Sequence, residues 1–137
     1  MRMPHSSQPA PLALFVFNRA DLLRNTVESL LKNPLCEATD LYVFSDGARA
    51  GKKGEAEKVE AVRDFAHRLS GFKRIHVVER PTNAGCRTNV REGIDHVLKR
   101  HDRVIAIEDD LLVAPNFLDY MNGCLEKYRD EKRIWCV

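Results

Sequence analysis

The chain has 137 residues, 44% of them apolar, and 22 Lys and Arg against 20 Asp and Glu give a formal charge of +2. That length supports one hydrophobic core and excludes a second ordinary domain, and so balanced a charge offers no basis for a nucleic-acid surface or an acidic tail. Cys36, Cys86, Cys124 and Cys136 form no CxxC pair, which removes a zinc cluster or thioredoxin-type motif; with this much apolar sequence they read as free thiols of a reducing, cytoplasmic compartment.

Met1 to Pro11 is polar with three prolines and reads as a loose arm, leaving residues 12–137 as the folded unit. Leu12 to Phe17 is a short continuous apolar run, a first strand, too brief for a signal-peptide core or a bilayer span. No transmembrane segment is expected, and peripheral contact with a membrane is left open. From Leu22 to Lys32, Leu23, Val27, Leu30 and Leu31 fall on one helical face, and Asn33-Pro34 stops that helix. Leu41 to Phe44 is a second strand ending in Ser45-Asp46-Gly47, followed by a Gly/Lys loop from Ala48 to Gly54. A highly charged helix then places Val59, Val62, Ala66 and Leu69 inward and ends at Gly71. Arg74 to Val78 is a third strand, Pro81 to Gly85 a turn, and the next helix carries Val90, Ile94, Val97 and Leu98 on its inner face. Arg103 to Ile107 is a fourth strand; Pro115 opens a helix whose inner face is Phe117, Met121, Cys124, Leu125 and Tyr128. Ile134 to Val137 reads as the first residues of a fifth strand.

Strands recurring about every 30 residues with helices between them imply βαβ units: a three-layer α/β/α fold of the Rossmann-like kind with a mostly parallel sheet. Ligands of such folds bind beyond the carboxyl ends of the strands. Those ends carry Asn18-Arg19, Ser45-Asp46-Gly47, Arg80 to Gly85 and Glu108-Asp109-Asp110.

The acidic triplet is the sharpest feature. Three adjacent carboxylates after four apolar residues repel one another, and solvent, hydrogen bonds or a divalent cation must offset that. Mg²⁺ or Mn²⁺ suits hard oxygen ligands and needs few protein carboxylates when a diphosphate and waters complete the octahedron. The plainer alternative is a solvated turn whose acids favour the next helix dipole. The apolar Leu111-Leu112-Val113 directly behind the triplet favours the cation reading. Asp46 is either a turn residue bonded to its own backbone or an acceptor for a base or ribose donor. Arg19, a cation in a helix's first turn, opposes the helix dipole unless an anion binds there. Asn83-Ala84-Gly85-Cys86-Arg87 is either an anion cradle or a helix-opening turn. The five histidines show no ligand spacing and read as surface or core residues.

Phe17-Asn18-Arg19, Ser45-Asp46-Gly47, Asn83-Ala84-Gly85, and above all Glu108-Asp109-Asp110-Leu-Leu-Val-Ala-Pro-Asn-Phe with Ile134-Trp135-Cys136-Val137, resemble the GT-A glycosyltransferases. The likeness is to the N-acetylglucosaminyltransferase I type and its family 2-like relatives, and covers Pro11 to Val137. It implies a metal-dependent nucleotide-sugar site, UDP-linked, serving a carbohydrate or glycoconjugate acceptor, with inversion at the anomeric carbon. By resemblance Asp110 meets the Mn²⁺ or Mg²⁺ directly and Glu108 and Asp109 lie near ribose and sugar. Asp46 meets the uracil, Arg19 lies near the diphosphate, and Phe17, Asn18, Asn83 and Gly85 belong to the donor-binding set.

The family also uses a carboxylate base that deprotonates the acceptor hydroxyl. Asp119 and Asp130 follow the site but read as solvated, so the base is expected beyond Val137. The expectation is a donor-binding half, truncated as strand five begins, that holds a nucleotide without transferring sugar by itself. Three rivals remain. A phosphoribosyltransferase-like enzyme needs small hydroxyl and glycine residues after the acids, where Leu111 to Ala114 stand, and a receiver domain needs acids after strand one, where Asn18-Arg19 stands. A non-catalytic nucleotide-binding or interaction module would show nucleotide binding indifferent to metal.

Overall fold

The run Leu12–Val16 is strand β1, and its five residues are all buried. In the computed structural model, which describes residues 8–137, β1 is flanked by β2 (Asp40–Ser45) and β4 (Ile105–Glu108), with β3 (Arg74–Glu79) outside β2. The order is β3-β2-β1-β4, every pairing is parallel, and the register sets Leu12 opposite Leu41 and Ile105. The expected α/β architecture with a parallel sheet is therefore formed.

Side chains alternate across the sheet with period two, and each face has its own helices. Leu12, Leu14, Val16, Leu41, Val43, Ile105 and Ile107 point to one side. There they meet Leu23, Val27 and Leu30 of α1 (Ala20–Leu30), Val62 and Ala66 of α2 (Glu55–His67), and Leu118 of α4 (Phe117–Lys127). Ala13, Phe15, Tyr42 and Phe44 point the other way, to Val90, Ile94 and Val97 of α3 (Cys86–Leu98). Gly93 belongs to that contact: a Cβ there would lie 2.5 Å from Phe15 Cε1 and 3.0 Å from Phe44, so its lack of a side chain lets α3 seat on the two stacked rings.

Several expectations are corrected. Leu31 and Leu98 were expected inside and are 43% exposed, because each lies just past the stripe its helix turns toward the sheet. On α4 Leu118 is the fully buried residue, while Met121 and Leu125 are partly buried and Cys124 and Tyr128 intermediate. The fourth strand begins at Ile105 rather than Arg103, and Ala106 is exposed; α3 covers β1 and β2 but leaves that side of β4 open. Ile134 to Val137 forms no strand, and Trp135 is 94% exposed. With no ladder partner, this segment shares a cleft with Cys124, Leu125 and Tyr128 instead. Most of the expected arm lies outside the described residues, but Ala10 and Pro11 are buried, and the Ala10 amide donates to Asn122 Oδ1 at 2.7 Å. Cys36 is a buried free thiol, pushed up to about 11 by burial. Three of the histidines, read as surface or core residues, surround Tyr42: His76 stacks on it at 4.5 Å, His101 hydrogen-bonds its hydroxyl at 3.1 Å, and His96 meets its ring edge.

Candidate functional site

Above the carboxyl ends of the strands lies a cleft of about 450 Å³, lined by Phe17, Asn18, Arg19, Asp46, Asn83, Gly85, Glu108 and Asp109 among others. Eight of the residues singled out from sequence therefore converge on one cavity. Asp110 is not among the lining residues; its side chain, 41% exposed, stands at the rim within 3.4 Å of Arg19.

One wall is built by Asp46. It follows β2 directly, is 3% exposed, and accepts hydrogen bonds on Oδ1 from the amides of Gly47 (2.9 Å) and Ala84 (2.8 Å). Its Oδ2 accepts from the Gly85 amide at 3.0 Å and Asn83 Nδ2 at 3.3 Å. Of the two alternatives for this residue the turn role is present, and it extends further, because Asp46 also bonds a second turn 38 residues away and so shapes the cleft. Gly85 takes φ 85° before α3, a value reserved largely for glycine. Beneath this wall Arg63 donates to Ser45 Oγ at 3.1 Å and to the Arg80 carbonyl at 2.7 Å. Asn89, 3% exposed, donates to the Phe44 carbonyl at 3.2 Å and accepts from Arg80 Nε at 2.8 Å.

The opposite wall is acidic. Arg19 places one terminal nitrogen 2.7 Å from Asp109 and 3.4 Å from Asp110. Burial pushes the Asp109 carboxyl above the usual range; Arg19 pulls it back and Asp110 adds to the rise. Asp109 in turn raises the Arg19 guanidinium. The arginine expected to face an anion thus also bridges the carboxylates, as an internal cation.

The main chain of this acidic turn hangs on a polar row of α1 and its end that sequence reading did not credit. Thr26 Oγ1 donates to the Asp109 carbonyl at 2.8 Å, Ser29 Oγ accepts from the Val113 amide at 3.1 Å, and Asn33 both donates to the Ala114 carbonyl at 3.1 Å and accepts from the Leu118 amide at 3.0 Å. All three side chains are buried polar groups, and buried polar groups need partners. Spaced along one side of an otherwise apolar stripe, they were the available signal.

Arg49 and Glu55 are the other residues sequence reading missed. The loop expected to be a plain Gly/Lys turn is closed by Glu55, 5% exposed, which accepts from Arg49 Nε at 3.1 Å, from the Arg49 amide at 2.7 Å and from Asn18 Nδ2 at 3.4 Å. Hydrogen bonds from Arg49 hold its carboxyl at about 2 against an ordinary 4.5, with burial opposing. A depressed acid stabilises the fold above its unfolded value and loses that contribution as pH falls through its folded value. The stability difference between wild type and Glu55→Gln should therefore be full at neutral pH and close between 4.5 and about 2, read by urea denaturation; a gap that ignores pH would contradict the assignment.

Among the described residues no three acidic, histidine or cysteine side chains converge into a ready cation cage. What the turn offers is the exposed carboxylate of Asp110 next to Asp109, whose Oδ2 is buried without a hydrogen-bond partner. Such a donor set fits Mg²⁺ or Mn²⁺, which keep several waters and take few protein ligands.

A parallel sheet with a polar cleft at its carboxyl edge, walled by loops after all four strands, is the arrangement in which open α/β proteins bind their ligands. The same fold is found in the crystal structure of residues 1–349 of S. aureus TarS, with a TM-score of 0.59 at 14% identity over 89% of this chain and 33% of that one. A longer S. aureus TarS structure matches with a TM-score of 0.58, also at 14% identity, over 89% and 20%. The GNT-I family is matched over residues 1–137, and the chain belongs to that family. The Arabidopsis thaliana alpha-1,3-mannosyl-glycoprotein 2-beta-N-acetylglucosaminyltransferase is 26% identical over 133 residues, 91% of this chain. The chain spans 29% of that relative's length.

Proposed function

We propose that the cleft binds the nucleotide-sugar donor, UDP-linked, of a metal-dependent glycosyltransferase that transfers a sugar to an acceptor hydroxyl on a carbohydrate or glycoconjugate. The observation that carries this reading is the convergence of Phe17 to Arg19, Asp46, Asn83, Gly85, Glu108 and Asp109 on one cavity at the carboxyl edge, where this fold class binds nucleotides. The family supports sugar transfer.

Asp46 and the Asn83–Gly85 turn form the base end, Arg19 the diphosphate end. When diphosphate enters, Arg19 exchanges one carboxylate partner for phosphate oxygens, a planar fork that suits either. Asp110 would hold Mn²⁺ or Mg²⁺, with Asp109 behind it; bound there, the ion neutralises charge on the departing nucleoside diphosphate. Glu108 lies near the sugar. The turn Thr26, Ser29 and Asn33 suspend keeps these carboxylates from drifting apart. No described residue is assigned as the base: Asp119 and Asp130 are exposed.

Calorimetry with UDP in the presence and absence of Mn²⁺ tests the reading. Binding should strengthen with Mn²⁺, and Asp110→Ala should remove that gain, a loss of at least about tenfold, or about 1.4 kcal/mol. UDP binding indifferent to Mn²⁺ would support a non-catalytic nucleotide-binding module instead.

A further inference from the structure

We infer that Arg49 is a donor-contact residue that stacks its guanidinium face on the planar base of the nucleotide, and that Glu55 is the positioning residue that holds it there. The inference rests on the donor-site reading.

A lone arginine in a glycine-rich surface loop is ordinarily solvated and mobile. Arg49 is instead held on several bonds. Its Nε lies 3.1 Å from each Glu55 oxygen, a terminal nitrogen bonds the same carboxylate, and its own amide donates to Glu55 Oε2 at 2.7 Å. Taking a carboxylate out of water is costly unless it is paired and hydrogen-bonded. Glu55 is 5% exposed and meets that condition largely through Arg49. The pair therefore fixes the guanidinium in space, in contrast to an exposed ion pair whose partners wander.

The fixed guanidinium lies over the Phe17 ring, with Cζ 5.7 Å from the ring centroid, and both residues line the cleft. The Arg49 side chain keeps 52% of its surface exposed. Because Nε and one terminal nitrogen are spent on Glu55, what remains is chiefly the flat face rather than the fork that grips phosphate. Guanidinium and aromatic planes are the surfaces on which proteins stack bases. Phe17 and Arg49 line the same cleft as Asp46 and Asp109, with Asn18 joining the two loops through Glu55 at 3.4 Å.

The test is calorimetry with UDP and Mn²⁺ on wild type and five variants. Arg49→Ala should weaken UDP binding by about tenfold, the size of one lost stacking contact. Arg49→Lys should fail to restore it, because lysine keeps the charge and loses the plane. Glu55→Gln should weaken binding in the same direction, and Arg49→Ala/Glu55→Gln should bind like Arg49→Ala alone, since Glu55 acts chiefly through Arg49 and glutamine keeps an oxygen to accept from Asn18. That double variant also removes the buried unpaired carboxylate, so a folding defect in Arg49→Ala does not obscure the result. Phe17→Leu should lose less than Arg49→Ala. Wild-type affinity in Arg49→Lys would make Arg49 a phosphate charge and overturn the stacking role; wild-type affinity in the double variant would overturn the whole inference. Wild type that binds no UDP would instead refute the donor reading itself.

Discussion

Replacing Asp46 by alanine should both destabilise the fold and abolish nucleotide binding. The carboxylate is 3% exposed and accepts hydrogen bonds from three backbone amides and one side-chain amide. Hydrogen bonds to a charged group contribute about 1.5–3 kcal/mol each, and a buried donor left unsatisfied costs a similar amount. These bonds share one acceptor group and do not add independently, so a loss of about 3–5 kcal/mol is expected. Asparagine is no substitute: its amide nitrogen would face the Gly85 or Ala84 N–H, donor against donor. Thermal and urea denaturation read the stability. Hydrogen exchange at the Ala84 and Gly85 amides reads the local effect, which should exceed that at the centre of β1. A variant with wild-type melting and wild-type protection at those amides would show that the turn does not depend on Asp46.

The second large effect is expected at Gly47, next in the chain. A Cβ there would lie 2.7 Å from the Thr82 carbonyl oxygen and 2.8 Å from its Cα. These are backbone atoms and cannot rotate aside. Gly47→Ala must therefore push the 80–85 segment outward, stretching the 2.9 Å bond from Asn83 Nδ2 to the Gly47 carbonyl and misplacing the base end of the cleft. Overpacking of this kind costs about 1–3 kcal/mol. UDP affinity should fall further than stability alone explains, because the displaced segment is a wall of the site. Gly123→Ala is the control: it sits within α4 with nothing within 4 Å of the added carbon, so it should leave binding unchanged and stabilise the helix by up to about 1 kcal/mol. If Gly47→Ala bound UDP as wild type does while Gly123→Ala did not, the placement of the cleft would be wrong.

Much of this architecture was legible in the chain because it is local. Leu12 to Phe17 and Leu41 to Phe44 are unbroken apolar runs, which only a strand covered on both faces can bury at that length. The spacing of Leu23, Val27 and Leu30, or of Val59, Val62 and Ala66, admits a helix with one inward face. The chemistry was also local in part: three acids after an apolar run stay together wherever the chain goes. The errors have a common cause. Leu31, Leu98 and Ile134 to Val137 are apolar residues whose burial depends on whether another element lies opposite, and periodicity carries no information about the neighbour.

Residue order alone thus settled the four strands, the four main helices and the polar clusters that close the strands, since backbone sterics and hydrophobic period act over a few residues; it did not settle the end of the chain, where Ile134 to Val137 forms no strand. Tertiary structure decided everything that needs two distant segments at once: the order β3-β2-β1-β4, the bond from Asp46 to Ala84, and the bridge from Arg19 to Asp109 and Asp110. The same holds for the suspension of the acidic turn from Thr26, Ser29 and Asn33. Hydrogen bonds and ion pairs reach about 3 Å, so a residue's role in them follows from which partner the packed sheet and helices bring within that distance.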